Sequence, residues 1–227
     1  MTDRLLLVRH GVTTWNREGR FQGHLDAPLA DDGRLEAHLL GERLAAAGET
    51  GLRTVTSPLS RAADTAAIIA RQLTSEGLSA SVQVDERLME IGQGEWEGRT
   101  HAELAVDDAE RYAAWRQRAG EEQPPGAETI EEALERVSAV LDELTATAGP
   151  AACLVSHGGI LRLAARHLLG LDGRRAWAMD VDNASLSELR RDDPGEPWRL
   201  VRWNDTAHLL GRTAQHVDES EGEPLAL

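Results

Sequence analysis

Short apolar runs alternate along this chain with longer segments in which apolar side chains recur at every third or fourth position. The short runs predict four strands, of which the first, at residues 4–8, is expected to be buried. The others are at 54–56, at 82–84 and in the run that ends at Ser156. The longer segments predict helices over about 31–47, 57–73, 102–118, 129–146 and 160–169. Residues 11–30 contain three glycines and a proline, and we expect them to form an irregular loop.

Strands that alternate with helices are typical of a parallel sheet that is covered on both faces. We therefore expect an α/β fold, a three-layer sandwich with a mostly parallel central sheet flanked by helices. Residues 185–190 and 198–203 enclose the turn sequence Asp-Asp-Pro-Gly and predict two antiparallel edge strands.

The length of 227 residues and the apolar fraction of 41% suit one domain. We place it at residues 1–212, with a small helical cap inserted at about 99–128 over the site. The remaining residues, 213–227, are rich in Asp and Glu and predict a flexible acidic tail with no function implied.

Charge and length limit the classes of partner and the location. The 39 acidic residues outnumber the 24 basic ones, which gives a formal net charge of −15 and disfavours nucleic acid and anionic membranes as partners. The first apolar run is too short for a signal peptide and no stretch is long enough to span a membrane, so we expect a cytoplasmic protein. A homodimer is one assembly that the sequence leaves open.

Two side-chain types stand out in the composition. The sequence contains no Lys, so an anionic substrate would have to be bound by a local pocket of Arg and His. It contains one cysteine, Cys153, which excludes an internal disulfide, and its position inside an apolar run favours a buried thiol over a reactive one.

Two of the predicted strands end in a histidine followed by glycine, at His10 and His157. In open α/β sheets the carboxyl ends of the strands form the edge where ligands bind. Arg9 precedes His10, and a guanidinium matches phosphate oxygens in a bidentate fork. A lone strand-end histidine is more often structural, but Arg9 and the small Gly11 favour an enzyme that handles phosphate.

The residues that follow the second predicted strand add a further cation. Ser57-Pro58 is typical of an N-cap followed by a first-turn proline, which would put Arg61 in the first turn of a helix. Helix starts favour anions. By itself Arg61 is more typical of a solvated helix residue, and its position after Ser57-Pro58 is what makes it a candidate.

Phosphoryl transfer to an imidazole defines what else the site needs. His10 is the candidate nucleophile, and a covalent phosphohistidine would split one hard step into two. The charge on the three phosphoryl oxygens needs fixed donors, for which the candidates are Arg9, Arg61, His157, Asn16 and the Gly158 amide. One carboxyl group can protonate the leaving oxygen and later activate water, and the loop at 88–98 contains three, Glu90, Glu95 and Glu97.

Four segments, in this order along the chain, resemble the motifs of the histidine phosphatase superfamily, which has the phosphoglycerate-mutase-like fold. They are RHGVTTWN at 9–16, SPLSRAADTA at 57–66, LMEIGQGEWEG at 88–98 and VSHGG at 155–159. The resemblance spans residues 5 to about 170 and belongs to the phosphatase branch. It implies that Glu90 is the acid and base, that Gln22 and Gly23 touch substrate or phosphate at the pocket mouth, and that no metal or other cofactor takes part.

Two positions depart from the pattern of the superfamily. Val12 occupies a place that usually carries a polar residue, which puts a secondary hydrogen bond of the loop in doubt. Residues 125–129, PGAET, resemble a Gly-Gly-Glu-Ser stretch, and Glu128 is interpreted as a helix-start residue with a weak claim on the site. Glu95 and Glu97 are interpreted as surface or wall residues, and His24 as a candidate substrate contact beside the mouth.

The same residues are compatible with two reactions. A phosphomonoesterase would pass phosphate from a small phosphorylated metabolite to His10 and then to water. A bisphosphoglycerate-dependent phosphoglycerate mutase would return it to a sugar acid, and mutases of this type resemble a longer chain with an arginine-bearing insertion before the second histidine. Here the interval from Glu90 to His157 has room for only two helices, and 102–113 is mainly acidic, so hydrolysis is preferred.

A third interpretation is a catalytically silent member of the fold that binds proteins. Such a chain should have lost at least one of its chemical residues, but His10, Arg61, Glu90 and His157 are all present. The ester itself stays open, because residues 182–185 and 203–204 resemble branches that hydrolyse glucosyl-phosphoglycerate, ribazole phosphate or assorted phosphate esters.

Overall fold

A computed structural model describes residues 1–117, 122–147, 149 and 151–210. The segment that was expected to form an acidic tail, 213–227, lies outside the described residues.

Six strands form one sheet, and their bounds are β1 Arg4–Arg9, β2 Leu52–Thr56, β3 Ala80–Val84, β4 Ala152–Ser156, β5 Leu186–Arg190 and β6 Arg199–Asp205. The order across the sheet is β3-β2-β4-β1-β5-β6. Strands β3, β2, β4 and β1 are parallel, whereas β5 is antiparallel to both β1 and β6. The predicted mostly parallel sheet is confirmed, but only β6 of the two antiparallel strands is an edge, since β5 pairs on both sides.

Eight helices are present in the described residues, and their bounds are α1 Thr14–Arg17, α2 Asp31–Ala46, α3 Ser60–Ser75, α4 His101–Asp107, α5 Ala109–Gln117, α6 Ile130–Ala146, α7 Gly158–Leu169 and α8 Gly173–Trp177. Short 3₁₀ turns occupy Glu86–Leu88, Gly94–Trp96 and Ala207–Leu209. The longer predicted helices are all found, most within two residues of their expected bounds. The two short ones, α1 and α8, were not predicted.

Three local differences from the sequence prediction have physical reasons. Helix α1 lies inside the expected loop, where Thr13 and Asn16 form a reciprocal capping box that needs no apolar periodicity. The predicted helix at 102–118 is divided at Asp108, whose carboxylate accepts a hydrogen bond from the indole of Trp96 at 2.9 Å. Helix α3 begins at Ser60 and not near Ser57, because the backbone is still extended at Leu59. The Ser57 hydroxyl accepts from the Leu59 amide at 3.3 Å and also contacts His157.

The central strands are buried on both faces, as expected for a parallel sheet between helical layers. Along β1, Leu5 and Leu7 pack in one core with α6 and α7. Leu6 and Val8 point to the opposite face and pack with apolar side chains of α2 and α3. Two cores therefore hold β1 from both sides, and its carboxyl end is a rigid support for the residues that follow it.

A third, aromatic core packs helices α4 and α5, which lie in the predicted cap, against the rest of the chain. It consists of Phe21, Trp96, Leu104, Tyr112 and Trp115, all buried. The Phe21 ring meets Trp115 nearly edge-on with centroids 5.1 Å apart, a favourable geometry for aromatic pairs. Because Phe21 precedes Gln22 and Gly23, the cap and the segment predicted to form the pocket mouth are packed as one unit. In the part of the chain that the structure describes, no helix combines the length and apolar character that crossing a bilayer requires.

Burial makes Cys153 a reporter of folding. Its thiol is fully buried in β4, and desolvation raises its pKa to about 12. We expect a thiol reagent such as DTNB to react with the native protein at least about 100-fold more slowly than with the protein in denaturant. The pKa of the thiol is about 3 units higher in the native protein than in the unfolded chain, so much less of the reactive thiolate is present. As this is the single cysteine, every labelling event reports on it. Fast stoichiometric labelling of native protein would contradict this placement.

Candidate active site

The carboxyl ends of parallel strands deliver one buried cluster of polar side chains. Strands β1 and β4 pair so that Arg9 lies opposite Ser156, and the next residue of each strand leaves the sheet at the same edge. These residues are His10 and His157, whose ring centroids are 5.2 Å apart. Both rings are buried. The structure thus brings the two predicted histidines together through the register of the sheet.

The imidazole of His10 is held neutral with one nitrogen free of a proton. Its Nδ1 lies 2.8 Å from the carbonyl oxygen of Gly11, and since a carbonyl can only accept, Nδ1 carries the hydrogen. Nε2 therefore presents its lone pair. Burial, together with the charges of Arg61 and Arg9, holds the pKa of His10 well below its usual value. A neutral ring with one unprotonated nitrogen is the form that attack on phosphorus requires.

The second histidine is fixed in the opposite tautomer. Arg61 Nε lies 3.2 Å from His157 Nδ1, and because a guanidinium only donates, Nδ1 must be the acceptor. His157 Nε2 therefore carries the proton and donates to the Ser57 hydroxyl at 2.9 Å. Sequence analysis assigned Ser57 to a helix cap, so it missed this contact. Desolvation and the charge of Arg61 hold the pKa of His157 well below its usual value.

Arg61 is a buried cation and not a solvated helix residue. Its Nη1 and Nη2 donate to the carbonyl oxygens of Leu25 and Gly23 at 2.9 and 2.8 Å. Burial lowers its pKa to about 10, so it stays charged at neutral pH. The carbonyl contacts orient the guanidinium and connect helix α3 to the segment that follows Gln22.

Arg9 supplies a second buried guanidinium, and part of it has no protein acceptor. Nη1 donates to the carbonyl of Val181 at 2.6 Å. Nε is buried without a hydrogen-bond partner among the described residues. Burial and the neighbouring charge of Arg162 lower the pKa of Arg9 to about 10. A buried charged N–H without an acceptor is costly, so an anion beside Arg9 would be stabilising.

The carboxylate of Glu90 lies at the start of helix α7. The amide of Ile91 donates to Oε1 at 2.9 Å, and the amide of Gly159 donates to Oε2 at 3.3 Å. A Cβ atom at position 159 would lie only 2.7 Å from Glu90 Oε1, so glycine is required there for the carboxylate to approach the helix. Of the three carboxyl groups in the loop, Glu90 is the buried one, at 3% exposure.

Arg136 on helix α6 holds the backbone that carries Glu90. Its Nη1 donates to the carbonyls of Arg87 and Met89 at 2.7 and 2.6 Å, and Nη2 to that of Glu90 at 3.1 Å. The same guanidinium makes a bidentate ion pair with Glu128. Glu128 also accepts from the amide of Gly92 at 3.2 Å, so it holds the loop of Glu90 both directly and through Arg136.

Two further residues connect the loops around the pocket mouth. His24 Nε2 lies 2.8 Å from the Glu90 carbonyl, and its side chain is nearly half exposed. Glu97 Oε1 accepts from the amides of His24 and Gln93, both at 2.9 Å. Glu97 is thus a wall residue that joins the two loops. Beside them lies an open cleft of about 590 Å³, to which His24, Glu97 and Glu128 contribute.

The predicted polar residues of the first loop, Asn16 and Gln22, are joined through the hydroxyl of Thr13. The Thr13 hydroxyl contacts Asn16 Oδ1 at 2.9 Å and Gln22 Oε1 at 3.1 Å. Gln22 is buried and Asn16 partly so. Gly23 has a positive φ of 47°, a conformation that favours glycine, and its carbonyl binds Arg61.

Val12 has no polar side chain to hold the loop, and its backbone amide and carbonyl form hydrogen bonds instead. Its amide donates to Glu36 Oε2 at 2.8 Å, and its carbonyl accepts from Ala30 at 3.0 Å. Burial raises the pKa of Glu36. Gly11 lies so close to Gly33 that a Cβ would collide with the backbone of helix α2. The loop is therefore anchored to α2 without a polar side chain at position 12.

Sequence analysis missed a third buried arginine, Arg162. It lies on helix α7 four residues after Gly158, and this spacing places both residues on one face. A Cβ atom at Gly158 would lie 3.5 Å from Arg162 Nη1 and 3.7 Å from Arg9 Cζ. The spacing alone was a usable signal, because it directs the Arg162 side chain to the start of α7.

The geometry supplies the parts of a phosphoryl-transfer site. A neutral imidazole with a free nitrogen, three buried guanidinium groups and one carboxylate meet at the edge of the sheet. Within the described residues there is no group of three or more His, Cys, Asp or Glu side chains that could hold a metal ion.

Comparison with known proteins agrees with this geometry. The profile of the histidine phosphatase superfamily (branch 1) matches residues 5–206. A relative from Yersinia enterocolitica named probable phosphoglycerate mutase GpmB is 35% identical over 216 residues, which are 91% of this chain and 94% of that protein.

Two solved structures have a similar fold. A mycobacterial glucosyl-3-phosphoglycerate phosphatase in complex with VO₃ aligns with a TM-score of 0.77 and 33% identity, over 89% of this chain and 99% of that one. A putative alpha-ribazole-5'-P phosphatase from Escherichia coli aligns with a TM-score of 0.78 and 28% identity, over 91% and 98% of the two chains. The sheet-edge cluster and the match over residues 5–206 lead to one conclusion: the chain belongs to the histidine phosphatase superfamily, branch 1, and is an enzyme of the phosphatase or mutase type.

Proposed function

We propose that this chain is a metal-independent phosphomonoesterase that hydrolyses a small phosphorylated metabolite through a phosphohistidine on His10. The observation that carries the proposal is the tautomer of His10, whose Nε2 lone pair is unprotonated beside Arg9 and Arg61. A cytoplasmic location and a domain boundary near residue 212 remain expectations that go with this proposal.

In the first step His10 Nε2 forms a bond to phosphorus while the ester P–O bond breaks. Glu90 enters this step in its protonated form and gives its proton to the leaving oxygen, and the leaving alcohol departs. Arg9 and Arg61 stabilise the charge on the phosphoryl oxygens, and His157 can add its N–H by exchanging the Ser57 hydroxyl for a phosphoryl oxygen. Asn16, Gln22, Gly23 and the Gly158 amide are proposed to contact substrate or phosphate.

In the second step water attacks the phosphohistidine. Glu90, now ionised, takes a proton from the water, the P–N bond breaks, and inorganic phosphate leaves with neutral His10 restored. The two amides that donate to Glu90 suit this role, because they hold the carboxylate in place in both steps.

A phosphoglycerate mutase is the second candidate, favoured by the name of the Yersinia relative. Two features support hydrolysis over transfer. In the described part of the cap, Arg99 pairs with Asp107 and Arg111 with Asp108, so these cations face their own carboxylates and not the site. The similar solved structures carry the names of phosphatases.

Replacing the proposed nucleophile should abolish turnover. We expect His10→Ala to lower kcat/KM for p-nitrophenyl phosphate by about 10³-fold or more, because no other group can form the covalent intermediate. The matched control is His38→Ala, which removes a half-exposed histidine on helix α2 and should keep wild-type activity. Circular dichroism checks the fold of both variants. Wild-type turnover by His10→Ala would reject the nucleophile.

The role of Glu90 can be tested by varying the leaving group. Glu90→Gln should slow hydrolysis of an alkyl phosphate about 10- to 100-fold more than that of p-nitrophenyl phosphate, because a good leaving group needs little protonation. Initial rates of phosphate release over a series of esters give the dependence on leaving-group pKa. Equal slowing across the series would assign the acid to another residue.

The choice between hydrolase and mutase rests on a panel of phosphate esters assayed with and without bisphosphoglycerate. Reactions contain EDTA, because the proposed steps use no metal. Release of inorganic phosphate without bisphosphoglycerate is the expected result. Isomerisation of phosphoglycerate that depends on bisphosphoglycerate, with little phosphate released, would establish the mutase instead. A rate that EDTA abolishes and added metal restores would contradict the metal-free mechanism.

A further inference from the structure

We propose that Arg136, held by Glu128, is a positioning residue that keeps the carboxyl group of Glu90 where it can protonate the leaving oxygen. This rests on the proposed function and adds the interaction that holds the acid in place for it. Neither Arg136 nor Glu128 is proposed to contact phosphate or substrate. Both act through the loop that carries Glu90.

That loop has little regular structure of its own. Residues 89–93 lie between two short 3₁₀ turns and belong to no helix or strand. Backbone carbonyls in such a segment have no partner within a helix or a sheet, and the buried ones need another donor. The position of Glu90 must therefore be fixed by contacts from outside the loop.

Arg136 supplies these contacts with its whole guanidinium, which has five N–H donors. Three of them bind the carbonyls of Arg87, Met89 and Glu90, at 2.6 to 3.1 Å. The other two bind Glu128 at 2.6 and 2.7 Å. Every donor is used within the protein, so the side chain is assigned to positioning and not to substrate binding.

Glu128 fixes the direction of this guanidinium. It lies eight residues before Arg136, ahead of the first residue of α6, while Arg136 is about two turns along that helix. The carboxylate binds Nε and Nη2 together, a fork that prevents the guanidinium from rotating. Both side chains are mostly buried, at 18% and 17% exposure. Removing either one would leave a shielded charge without its partner.

Glu128 also reaches the loop on the far side of Glu90. The Gly92 amide donates to Glu128 Oε2 at 3.2 Å, and the Glu128 amide donates to the Gly92 carbonyl at 3.0 Å. Arg136 binds carbonyls up to Glu90, and Glu128 binds Gly92, two residues after it. The pair therefore holds the backbone on both sides of the acid.

Small displacements of Glu90 matter for proton transfer. Its carboxyl group has to lie within hydrogen-bond reach of the leaving oxygen, and a misplacement of about 1 Å can cost about 100-fold in rate. Arg9 and Arg61, the cations proposed to stabilise the phosphoryl group, belong to β1 and helix α3 and not to this loop. Loosening the loop should therefore impair protonation of the leaving group and largely preserve substrate binding.

The dependence of the rate on the leaving group separates positioning from a general loss of structure. We expect Arg136→Met to lower kcat for an alkyl phosphate about 10- to 100-fold more than for p-nitrophenyl phosphate, with KM within about threefold of wild type. Arg136→Lys should recover part of the loss. In the Glu90→Gln background, Arg136→Met should slow the alkyl phosphate by less than about threefold more, because the acid is already absent. Equal slowing of both esters, or multiplicative losses in the double variant, would overturn the proposal.

Arg87→Met is the matched control. The Arg87 side chain makes a bidentate ion pair with Glu143, so this variant also removes a guanidinium that connects the loop region to α6. It should keep kcat on both esters within about twofold of wild type, because this pair is largely exposed. A loss in Arg87→Met as large and as dependent on the leaving group as that in Arg136→Met would overturn the assignment to Arg136. Circular dichroism checks folding, and Arg136→Lys replaces Arg136→Met if the latter does not fold.

Amide hydrogen exchange, followed by NMR, tests the proposal without turnover. Gly159 is the second residue of α7, so its amide has no acceptor within the helix, and it donates to Glu90 Oε2. We expect this amide to exchange at least about 10-fold faster in Arg136→Met than in wild type, approaching its rate in Glu90→Ala, and to be unchanged in Arg87→Met. Wild-type protection in Arg136→Met would overturn the proposal whether or not esters are hydrolysed. Absence of phosphate release from every ester, with the faster exchange observed, would reject only the hydrolase.

Discussion

The pairing of β1 with β4, in the register that places Arg9 opposite Ser156, is the constraint on which the site depends. His10 and His157 are each the first residue beyond these strands, so the register alone brings their rings together. Because strand side chains alternate in direction, a slip of one residue would turn Leu5 and Leu7 toward the wrong core and separate the two histidines. The apolar alternation that packs both faces of β1 is thus also what positions the site.

Concentrating cations at this edge is costly, and the structure shows how the cost is met. Arg9, Arg61 and Arg162 are buried in a chain whose formal net charge is −15. Each donates to at least one backbone carbonyl, and Glu90 is a carboxylate whose charge favours the ionised form of all three. The cations are held before any ligand arrives, so phosphoryl transfer would need little reorganisation.

Part of this site could be predicted from sequence because its residues are tied to local patterns. An apolar run that ends in His-Gly identifies a strand end. Arg9 could be recognised as a candidate phosphate ligand because it is next to His10 in the sequence. Ser57 and Arg136 could not be found in this way, because each acts through contacts with segments distant in the chain. The break at Asp108 has the same origin, since the indole that binds Asp108 is in another loop. Helix α1 was not predicted because it has only four residues, which is too short for a repeating pattern of apolar positions, and it is stabilised by a capping box.

The position of the acid explains why two glycines follow the second histidine. The first, Gly158, leaves space between the guanidiniums of Arg9 and Arg162 at the start of α7. The second, Gly159, lets Glu90 reach the helix, where its amide donates to the carboxylate. Groups of opposite charge therefore lie against two successive glycines at the start of α7. The guanidiniums of Arg9 and Arg162 lie beside Gly158, and the carboxylate of Glu90 lies beside Gly159. A substrate between them would meet cations along its phosphoryl group and the carboxyl group of Glu90 at its ester oxygen, which is the separation that proton transfer to a leaving group demands.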